Sequence, residues 1–393
     1  MLKNFRLWWH PPKLHTDDAD AKRVTSLELF FDLIFVVVIA RLAHHLAEHP
    51  DAAGVRDFVL LFIPVWWIWI GMTFYNERFE TYDLSFRVFT LLQLFAVAGM
   101  AASAEYGLGK TATGFALAYA LGRVIITLMW WRAGRHNPHL RPVTDVFVAG
   151  FTVSIVLWVV SVFVPGPWAL PLRGLGLAAD LLTPLLTLGA QRRLFKSPIR
   201  KLPERYGLFV IIVLGESLVG VVNGLADVQD LGAVSAARFA LSLLLGFGLW
   251  WVYFDFIGRR EPQPQTVRLA AWSYLHLPLV LGITLVGAMT THAVALGAEA
   301  PGAGDGVRGI LALGFALFYL SVAALEFTVE REYLLDQRRI TALRIVTALA
   351  ALLSAWLPLS LQVALLVALH GVHMLVGVRA WFRSDQAGRV DVH

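Results

Sequence analysis

The residue with the clearest chemical potential in this sequence is Glu216, a carboxylate inside a long apolar segment. Gly215, Ser217 and Gly220 stand beside it. A charged side chain at the centre of a bilayer costs about 2.5–3.5 kcal/mol on insertion scales, so such a residue usually forms a pair or performs work. Small neighbours let another helix or a substrate approach closely. Glu216 is therefore predicted to carry a proton, and a permanent ion pair with an arginine is the alternative.

Two further charged residues lie near the middle of apolar segments. Arg123 is the predicted partner of Glu216, although its guanidinium could also bind an anionic substrate through two donors. Pairing of Arg123 with Glu216 or Asp180 has at least the same weight as binding of a substrate. Asp180 precedes Pro184, and a proline kink frees a backbone carbonyl that can line a cavity. Arg123 and Asp180 are therefore candidate substrate or coupling residues.

Glu28 and Asp32 are four residues apart and share one face of a predicted helix. Glu28 is close to the start of that helix, where an acidic group is favourable as a cap. Asp32 lies deeper, between Phe31 and Leu33. It is predicted to line a vestibule that opens to the cytoplasm.

Three histidines complete the set of polar residues in apolar segments, namely His276, His370 and His373. Histidine titrates near physiological pH and can relay protons. The alternative for each is a structural histidine held by hydrogen bonds. Asp255 and Glu326 are placed near helix ends, where exposure to water explains them.

His45, Glu48 and His49 match the H-x-x-E-H spacing of inverted zinc proteases. On a helix the two histidines would share one face, with His44 close by. Zinc would still need a third protein ligand, and none is evident nearby. These residues are therefore only weak metal candidates, and no metal ion and no cofactor is expected.

The composition requires a membrane environment for most of the chain. The sequence has 393 residues, 58% of them hydrophobic and 16% charged, with a mean hydropathy of +0.65. Soluble domains usually carry about 25% charged residues. The absence of cysteine excludes disulfides, thiolate nucleophiles and cysteine-ligated metals.

The hydropathy pattern predicts an all-α integral membrane protein with about twelve transmembrane helices, each of about 20 apolar residues. No alternating ten-residue strands of a barrel occur. The predicted spans are 27–46, 55–75, 86–104, 112–131, 143–164, 168–190, 206–224, 235–257, 271–296, 306–328, 339–356 and 358–378. The last two are separated only by Leu357-Pro358.

The distribution of lysine and arginine predicts the orientation. Most of the 33 basic residues lie in the two tails and in every second loop, as the positive-inside rule requires of cytoplasmic segments. The loop 191–205 is the richest of these. Both termini are therefore predicted to lie in the cytoplasm of a bacterial cell, with the helices in the inner membrane.

The two halves of the chain resemble each other and predict two parallel six-helix repeats. Residues 116–123 (ALAYALGR) parallel residues 312–319 (ALGFALFY), and two other pairs of segments match in the same order. Parallel repeats occur in some transporters. The predicted organisation is a cytoplasmic tail, a first repeat, a basic linker, a second repeat and a cytoplasmic tail, with bounds 1–26, 27–190, 191–205, 206–378 and 379–393.

Two segments are more specific than hydropathy, SLELFFDLIFV at 26–36 and ERYGLFVIIVLGES at 204–217. They resemble the signature segments of the low temperature requirement A family of bacterial membrane proteins. Matches at 75–79, 250–255 and 274–278 extend the resemblance over nearly the whole chain. It implies a multi-spanning inner-membrane protein and does not imply an activity. Relatives often have a histidine three residues before Glu204, where this chain has Lys201.

The leading hypothesis for function is a secondary transporter or permease that couples an unknown small solute or ion to protons through buried carboxylates. The alternative is a non-transporting membrane factor that affects lipid state or adaptation to cold and stress. A membrane-bound redox enzyme is less favoured, and a channel is also considered. We expect lipid as a partner, no nucleic acid and no enzymatic activity, with association into a homo-oligomer left open.

Overall fold

A computed structural model describes most of the chain. The described residues are 10–14, 24–80, 83–164, 166–195, 201–226, 232–295, 304–330 and 337–386. Most of the predicted tail 1–26, the middle of the linker 191–205 and the end of the tail 379–393 lie outside them.

The described residues are almost entirely helical, as the hydropathy pattern predicted. They form thirteen α-helices. In chain order these are α1 (Ser26–Glu48), α2 (Ala52–Arg78), α3 (Leu84–Ser103), α4 (Ala112–His136), α5 (Arg141–Phe163), α6 (Ala169–Leu186), α7 (Leu188–Leu194), α8 (Leu202–Ala226), α9 (Ala233–Tyr253), α10 (Thr266–Ala295), α11 (Gly304–Leu325), α12 (Gln337–Leu353) and α13 (Leu359–Gln386).

Eleven helical stretches of the described residues are long and apolar enough to cross a membrane, which confirms a multi-pass membrane protein. They correspond to the second to the twelfth predicted spans. Helix α1, the first predicted span, is not among the eleven. Its 23 residues still rise by about 34 Å, enough for a bilayer core of about 30 Å. A total of twelve spans therefore stays a prediction.

Helix ends follow local chemistry, which explains where predicted and observed bounds differ. Pro184 is close to the end of α6, which stops at Leu186, and the separate short helix α7 follows. The predicted span 168–190 is therefore too long. The break at Leu357-Pro358 was expected. It separates a 3-10 turn, Ser354–Trp356, from α13.

Two features hold residues 10–14 against the start of α3. Lys13–Leu14 forms β1 and pairs antiparallel with β2, Phe79–Glu80. Asp83 caps α3 by accepting a hydrogen bond from the Phe86 backbone N–H at 3.1 Å, and its other oxygen accepts from the His10 N–H at 2.6 Å. One aspartate therefore caps a helix and anchors the segment before β1.

Apolar side chains occupy both the interior and much of the outer surface. Large residues such as Trp66, Trp69 and Trp272 are fully buried. Exposed apolar residues occur along most of the long helices, for example Phe95, Val153, Leu175, Val219 and Leu349. Soluble monomers rarely expose contiguous apolar patches of this kind, so these faces are suited to contact lipid.

The chain divides into two compact units. The first contains Met1–Leu42, Leu60–Arg205 and Pro264–Ala270, and the second contains Ala43–Val59, Tyr206–Gln263 and Ala271–His393. In the first unit α4 packs on α3 and α5, and α5 packs on α6. In the second unit α11 packs on α12, and α9 packs on α13.

The units differ in two respects from the predicted organisation. Residues 264–270 were assigned to the second repeat and belong to the first unit. A segment of the first unit ends at Arg205 and a segment of the second unit begins at Tyr206, which coincides with the predicted end of the linker. Residues 43–59, the end of α1 and the start of α2, were assigned to the first repeat and belong to the second unit. Two parallel six-helix repeats stay a prediction.

Candidate functional site

Arg123 forms its ion pair with Asp180, in the first unit. The Arg123 Nη2 and Nε atoms donate to the Asp180 Oδ1 atom at 2.7 and 3.1 Å. Both side chains are fully buried. Of the partners considered for Arg123, the structure therefore selects Asp180, and the expected pair with Glu216 is wrong.

The other carboxylate oxygen of Asp180 is also saturated. Its Oδ2 atom accepts hydrogen bonds from the Tyr119 hydroxyl at 2.5 Å and the Ser154 hydroxyl at 2.6 Å. The Arg123 guanidinium carbon lies 4.1 Å from the centre of the Phe151 ring. Helices α4, α5 and α6 each supply part of this cluster, so it is suited to hold the three together.

One guanidinium nitrogen of Arg123 is left over. The Nη1 atom has no hydrogen-bond partner among the described residues. A Cβ atom at Gly71 would lie 3.4 Å from it, so α2 approaches the guanidinium through its backbone. Both carboxylate oxygens of Asp180 therefore accept hydrogen bonds. Of the guanidinium nitrogens of Arg123, only Nη1 has no hydrogen-bond partner among the described residues.

A second buried ion site joins the start of α8 to α1, again within the first unit. The Arg205 Nη2 atom donates to the Asp32 Oδ1 atom at 2.6 Å, and the Trp69 indole donates to the same oxygen at 2.9 Å. Asp32 is fully buried, and its Oδ2 atom has no hydrogen-bond partner in the described chain. Asp32 therefore does not line an open vestibule in this structure, which corrects the prediction.

Glu28 acts first as the predicted cap of α1. Its carboxylate accepts from the Thr25 N–H at 2.9 Å and the Thr25 hydroxyl at 3.0 Å, and the Thr25 hydroxyl accepts from the Glu28 N–H at 3.3 Å. This reciprocal pattern is a capping box. The other oxygen of Glu28 lies 3.6 Å from the Arg205 Nη1 atom. One arginine therefore serves two carboxylates.

Glu216 is placed differently from both of these sites. It belongs to the second unit and lies within about 3 Å, along the axis, of the midpoint of α8. Its side chain is half-buried. Among the described residues it has neither a hydrogen bond nor an ion pair. Of the candidate acids, Asp32 and Asp180 have arginine partners, whereas Glu216 has none among the described residues.

Small residues bring α8 and α10 together beside Glu216. A Cβ atom at Gly287 would lie 2.1 Å from the Ser217 hydroxyl oxygen, and one at Gly220 would lie 2.4 Å from that of Thr291. A side chain at either glycine would therefore push the helices apart. The predicted close approach at Gly220 is confirmed, whereas no atom lies within 4 Å of a Cβ at Gly215.

Glu326 is buried, contrary to the expected exposure. It forms an ion pair with Arg344 of α12. The Arg344 guanidinium carbon also lies 4.6 Å from the centre of the Phe256 ring, and its Nη1 atom donates to the Val322 carbonyl at 3.4 Å. The second unit therefore contains its own buried arginine–carboxylate pair.

Two of the predicted histidines lie together in the second unit. The Tyr319 hydroxyl lies 2.8 Å from the His370 Nδ1 atom, and the Thr347 hydroxyl lies 2.9 Å from the His373 Nε2 atom. The Tyr319 and His373 rings are 4.4 Å apart between centres. His370 Nε2 is buried without a hydrogen-bond partner in the described residues. The arrangement links α11, α12 and α13.

His276 is held separately by its own helix and by α9. Its Nδ1 atom lies 2.7 Å from the Trp272 carbonyl oxygen, so this nitrogen carries the proton, since a carbonyl only accepts. Its Nε2 atom lies 3.2 Å from the Tyr253 hydroxyl. His276 is thus a hydrogen-bonded histidine, the alternative considered for it.

The position of His370 depends on Gly248 of α9, which leads to a prediction. A Cβ atom at Gly248 would lie 2.5 Å from ring atoms of His370. We expect Gly248→Ala to displace the imidazole and lower the free energy of unfolding by about 1–3 kcal/mol through overpacking. Titration with SDS in mixed micelles measures this change.

Gly371→Ala is the matched control, because nothing lies within 4 Å of a Cβ at that helical position. It should be neutral or stabilise by up to about 1 kcal/mol, since alanine favours helix. Equal stability of the two variants would contradict the tight contact between Gly248 and His370.

His45, Glu48 and His49 come together at the end of α1, in the second unit. One potential ligand atom from each lies within 4.8 Å of those of the other two. Glu48 and His49 are exposed and His45 is half-buried. This cluster is separate from the buried arginine sites.

Sequence reasoning missed Arg205 and Arg344. Arg205 was counted with the basic linker, although it stands within the second signature segment, directly after Glu204. Arg344 lies inside the predicted span 339–356, and a charged residue within an apolar span is the signal that could have identified it. The Lys201 backbone N–H donates to the Glu77 carboxylate at 3.4 Å, so that contact does not require a particular side chain at position 201.

Comparison with known proteins relates the chain to one family. Residues 23–380 match the family described as bacterial low temperature requirement A protein. An uncharacterized protein of Rhizobium meliloti (strain 1021) is 26% identical over 326 residues, which cover 73% of this chain and 73% of the relative. The family match includes both signature segments, helices α1 to α12 and α13 as far as residue 380.

Proposed function

The chain belongs to the bacterial low temperature requirement A family, and from that premise we propose that it is a proton-coupled secondary transporter. It would lie in the inner membrane with both termini in the cytoplasm. Its substrate would be a small solute or ion.

The observation that carries the proposal is that Glu216 has neither a hydrogen bond nor an ion pair among the residues that the structure describes. A carboxylate without a counter-charge is costly at mid-membrane depth, and binding a proton or a cation removes that cost. Asp180 does not share this property, because its carboxylate accepts four hydrogen bonds, two of them from Arg123. Glu216 is therefore the acid best suited to gain and lose a proton during a cycle.

The surroundings of Glu216 support a role in movement. Half-burial leaves its carboxyl group within reach of a pathway. The contacts of α8 with α10 pass through glycine, serine and threonine, and such surfaces pack closely without long interlocking side chains. In this proposal protonation of Glu216 favours one access state and release of the proton favours the other.

Glu216→Gln tests the proposal, because glutamine has nearly the same shape and cannot exchange a proton. We expect gradient-driven proton flux in sealed proteoliposomes to be abolished in this variant while the protein still folds. Internal pH is measured under imposed voltage and under gradients of Na⁺, K⁺, phosphate and amino acids.

Glu105→Gln is the control, since Glu105 forms only a partly exposed ion pair with Arg41 at 3.3 Å. It should retain wild-type flux. Wild-type flux in Glu216→Gln would overturn the role of Glu216. No flux under any of these gradients, with folded wild-type protein, would overturn transport and favour a factor that acts on the lipid phase.

A further inference from the structure

The last turn of α1 and the residue directly after it carry three metal-binding side chains on one face. His45, Glu48 and His49 follow the i, i+3, i+4 spacing that places helical side chains side by side. The imidazole rings of His45 and His49 are 4.6 Å apart between centres and inclined by 38°. Their potential ligand atoms and that of Glu48 all lie within 4.8 Å of one another.

A hydrogen bond already orients one imidazole. The His49 Nδ1 atom lies 3.2 Å from the His45 carbonyl oxygen. A carbonyl only accepts, so Nδ1 carries the proton and the lone pair of the neutral ring is on Nε2. Histidines that bind metals characteristically donate their second nitrogen to a carbonyl or carboxylate in this way.

The carboxylate of Glu48 is oriented as well. Its Oε1 atom lies 3.3 Å from the His44 Nε2 atom, again one turn away on the same helix. A ligating carboxylate is usually held by such an outer partner. His44 therefore positions Glu48 and is not counted among the three ligands.

We propose that His45, Glu48 and His49 bind one divalent ion of the zinc class, with water as the fourth ligand. Zinc takes imidazole nitrogen and carboxylate oxygen at about 2.0–2.2 Å, which places tetrahedral ligand atoms about 3.4 Å apart. Small side-chain rotations bring the three ligand atoms from within 4.8 Å to that spacing. The exposure of Glu48 and His49 gives an ion direct access from solvent.

The site adjoins a turn that is packed tightly in the second unit. The Asp51 N–H donates to the His49 carbonyl at 2.8 Å, and a Cβ atom at Gly306 of α11 would lie 1.7 Å from the Pro50 carbonyl oxygen. An ion bound at the end of α1 therefore restrains the turn that packs on α11. Because the folded helix end brings the three ligands together, the ion should bind the folded protein more tightly than the unfolded chain and so raise the thermal midpoint.

Zinc binding to the purified full-length chain in lipid nanodiscs tests the site. The affinity tag must contain no histidine, and Zn²⁺ is titrated calorimetrically. We expect one site per chain. His49→Ala and Glu48→Gln should each weaken binding by at least about tenfold, the lower limit for loss of even an outer partner.

His139→Ala is the matched control, because His139 is an exposed histidine in the 3-10 turn that precedes α5. It should leave affinity and stoichiometry unchanged. Absence of zinc binding by the wild type, or equal losses in His49→Ala and His139→Ala, would overturn the site. Both ligand variants change exposed side chains, and size-exclusion profiles verify that they fold. The result does not depend on whether the protein transports anything.

Discussion

Asp180→Ala should lower the free energy of unfolding by about 3–5 kcal/mol, because it leaves the Arg123 guanidinium buried without a counter-charge. The hydroxyl groups of Tyr119 and Ser154 lose their acceptor in the same variant. A buried donor without a partner costs about 1–3 kcal/mol, so the two orphaned hydroxyl groups place the loss at the upper end of the range given for Asp180→Ala. The SDS concentration at half-unfolding, measured in mixed micelles, reports the change.

A double variant separates the ion pair from general damage to the core. Arg123→Met combined with Asp180→Leu removes both charges and should recover much of the stability, since apolar residues often replace a buried pair without loss. Glu105→Gln is the surface control and should cost less than about 1 kcal/mol. A loss in Asp180→Ala as small as in Glu105→Gln would contradict a closed cluster.

Arg205→Met is the second substitution with a large expected effect, again about 3–5 kcal/mol. It leaves the buried carboxylates of Asp32 and Glu28 without their shared cation. Adding Asp32→Asn to Arg205→Met should restore part of the stability, because one uncompensated charge is then removed and the Trp69 indole keeps an acceptor.

Double-mutant cycles should distinguish the two carboxylates. Arg205 is 2.6 Å from Asp32 and 3.6 Å from Glu28, and Glu28 is also occupied by the capping box. We expect a coupling energy of about 2–3 kcal/mol with Asp32 and below about 1 kcal/mol with Glu28. Equal coupling would mean that Arg205 holds both carboxylates alike.

The buried arginine pairs and Glu216 are suited to different roles. Arg123, Arg205 and Arg344 each hold carboxylates that would otherwise be uncompensated. Such pairs are suited to restrain helices and to set which faces meet. Glu216 has no such restraint in the described chain. In the proposed transporter the ion pairs would hold the helices in place, and Glu216 would bind and release the proton.

Several features followed from the sequence alone because they depend on local chemistry. About 20 consecutive apolar residues must be helical in a bilayer, where each backbone group needs an internal partner. The spans, the break at Leu357-Pro358 and the cap formed by Glu28 are of this kind. Family membership could likewise be predicted from the sequence, because two continuous segments indicate it.

The position of a charged residue within an apolar segment could also be determined from the sequence. It identified Glu216, Arg123, Asp180 and Asp32 as candidate functional residues. Depth alone does not say which side chain meets which. Arg123 and Asp180 are 57 residues apart in the chain, and Arg205 and Asp32 are 173 apart. The rotation of each helix about its axis decides such pairs, and that rotation depends on the packing of all neighbouring helices.

The sequence by itself thus determined the membrane class, the approximate helix positions and the placement of Glu216, Arg123 and Asp180 inside apolar segments. Only the tertiary structure decided that Arg123 binds Asp180, that Asp32 and Glu326 are buried against Arg205 and Arg344, and that Glu216 has no described partner. The physical reason is that hydrophobic length constrains each helix separately. Ion pairs depend on distances of a few ångströms between helices, and those distances exist only after packing.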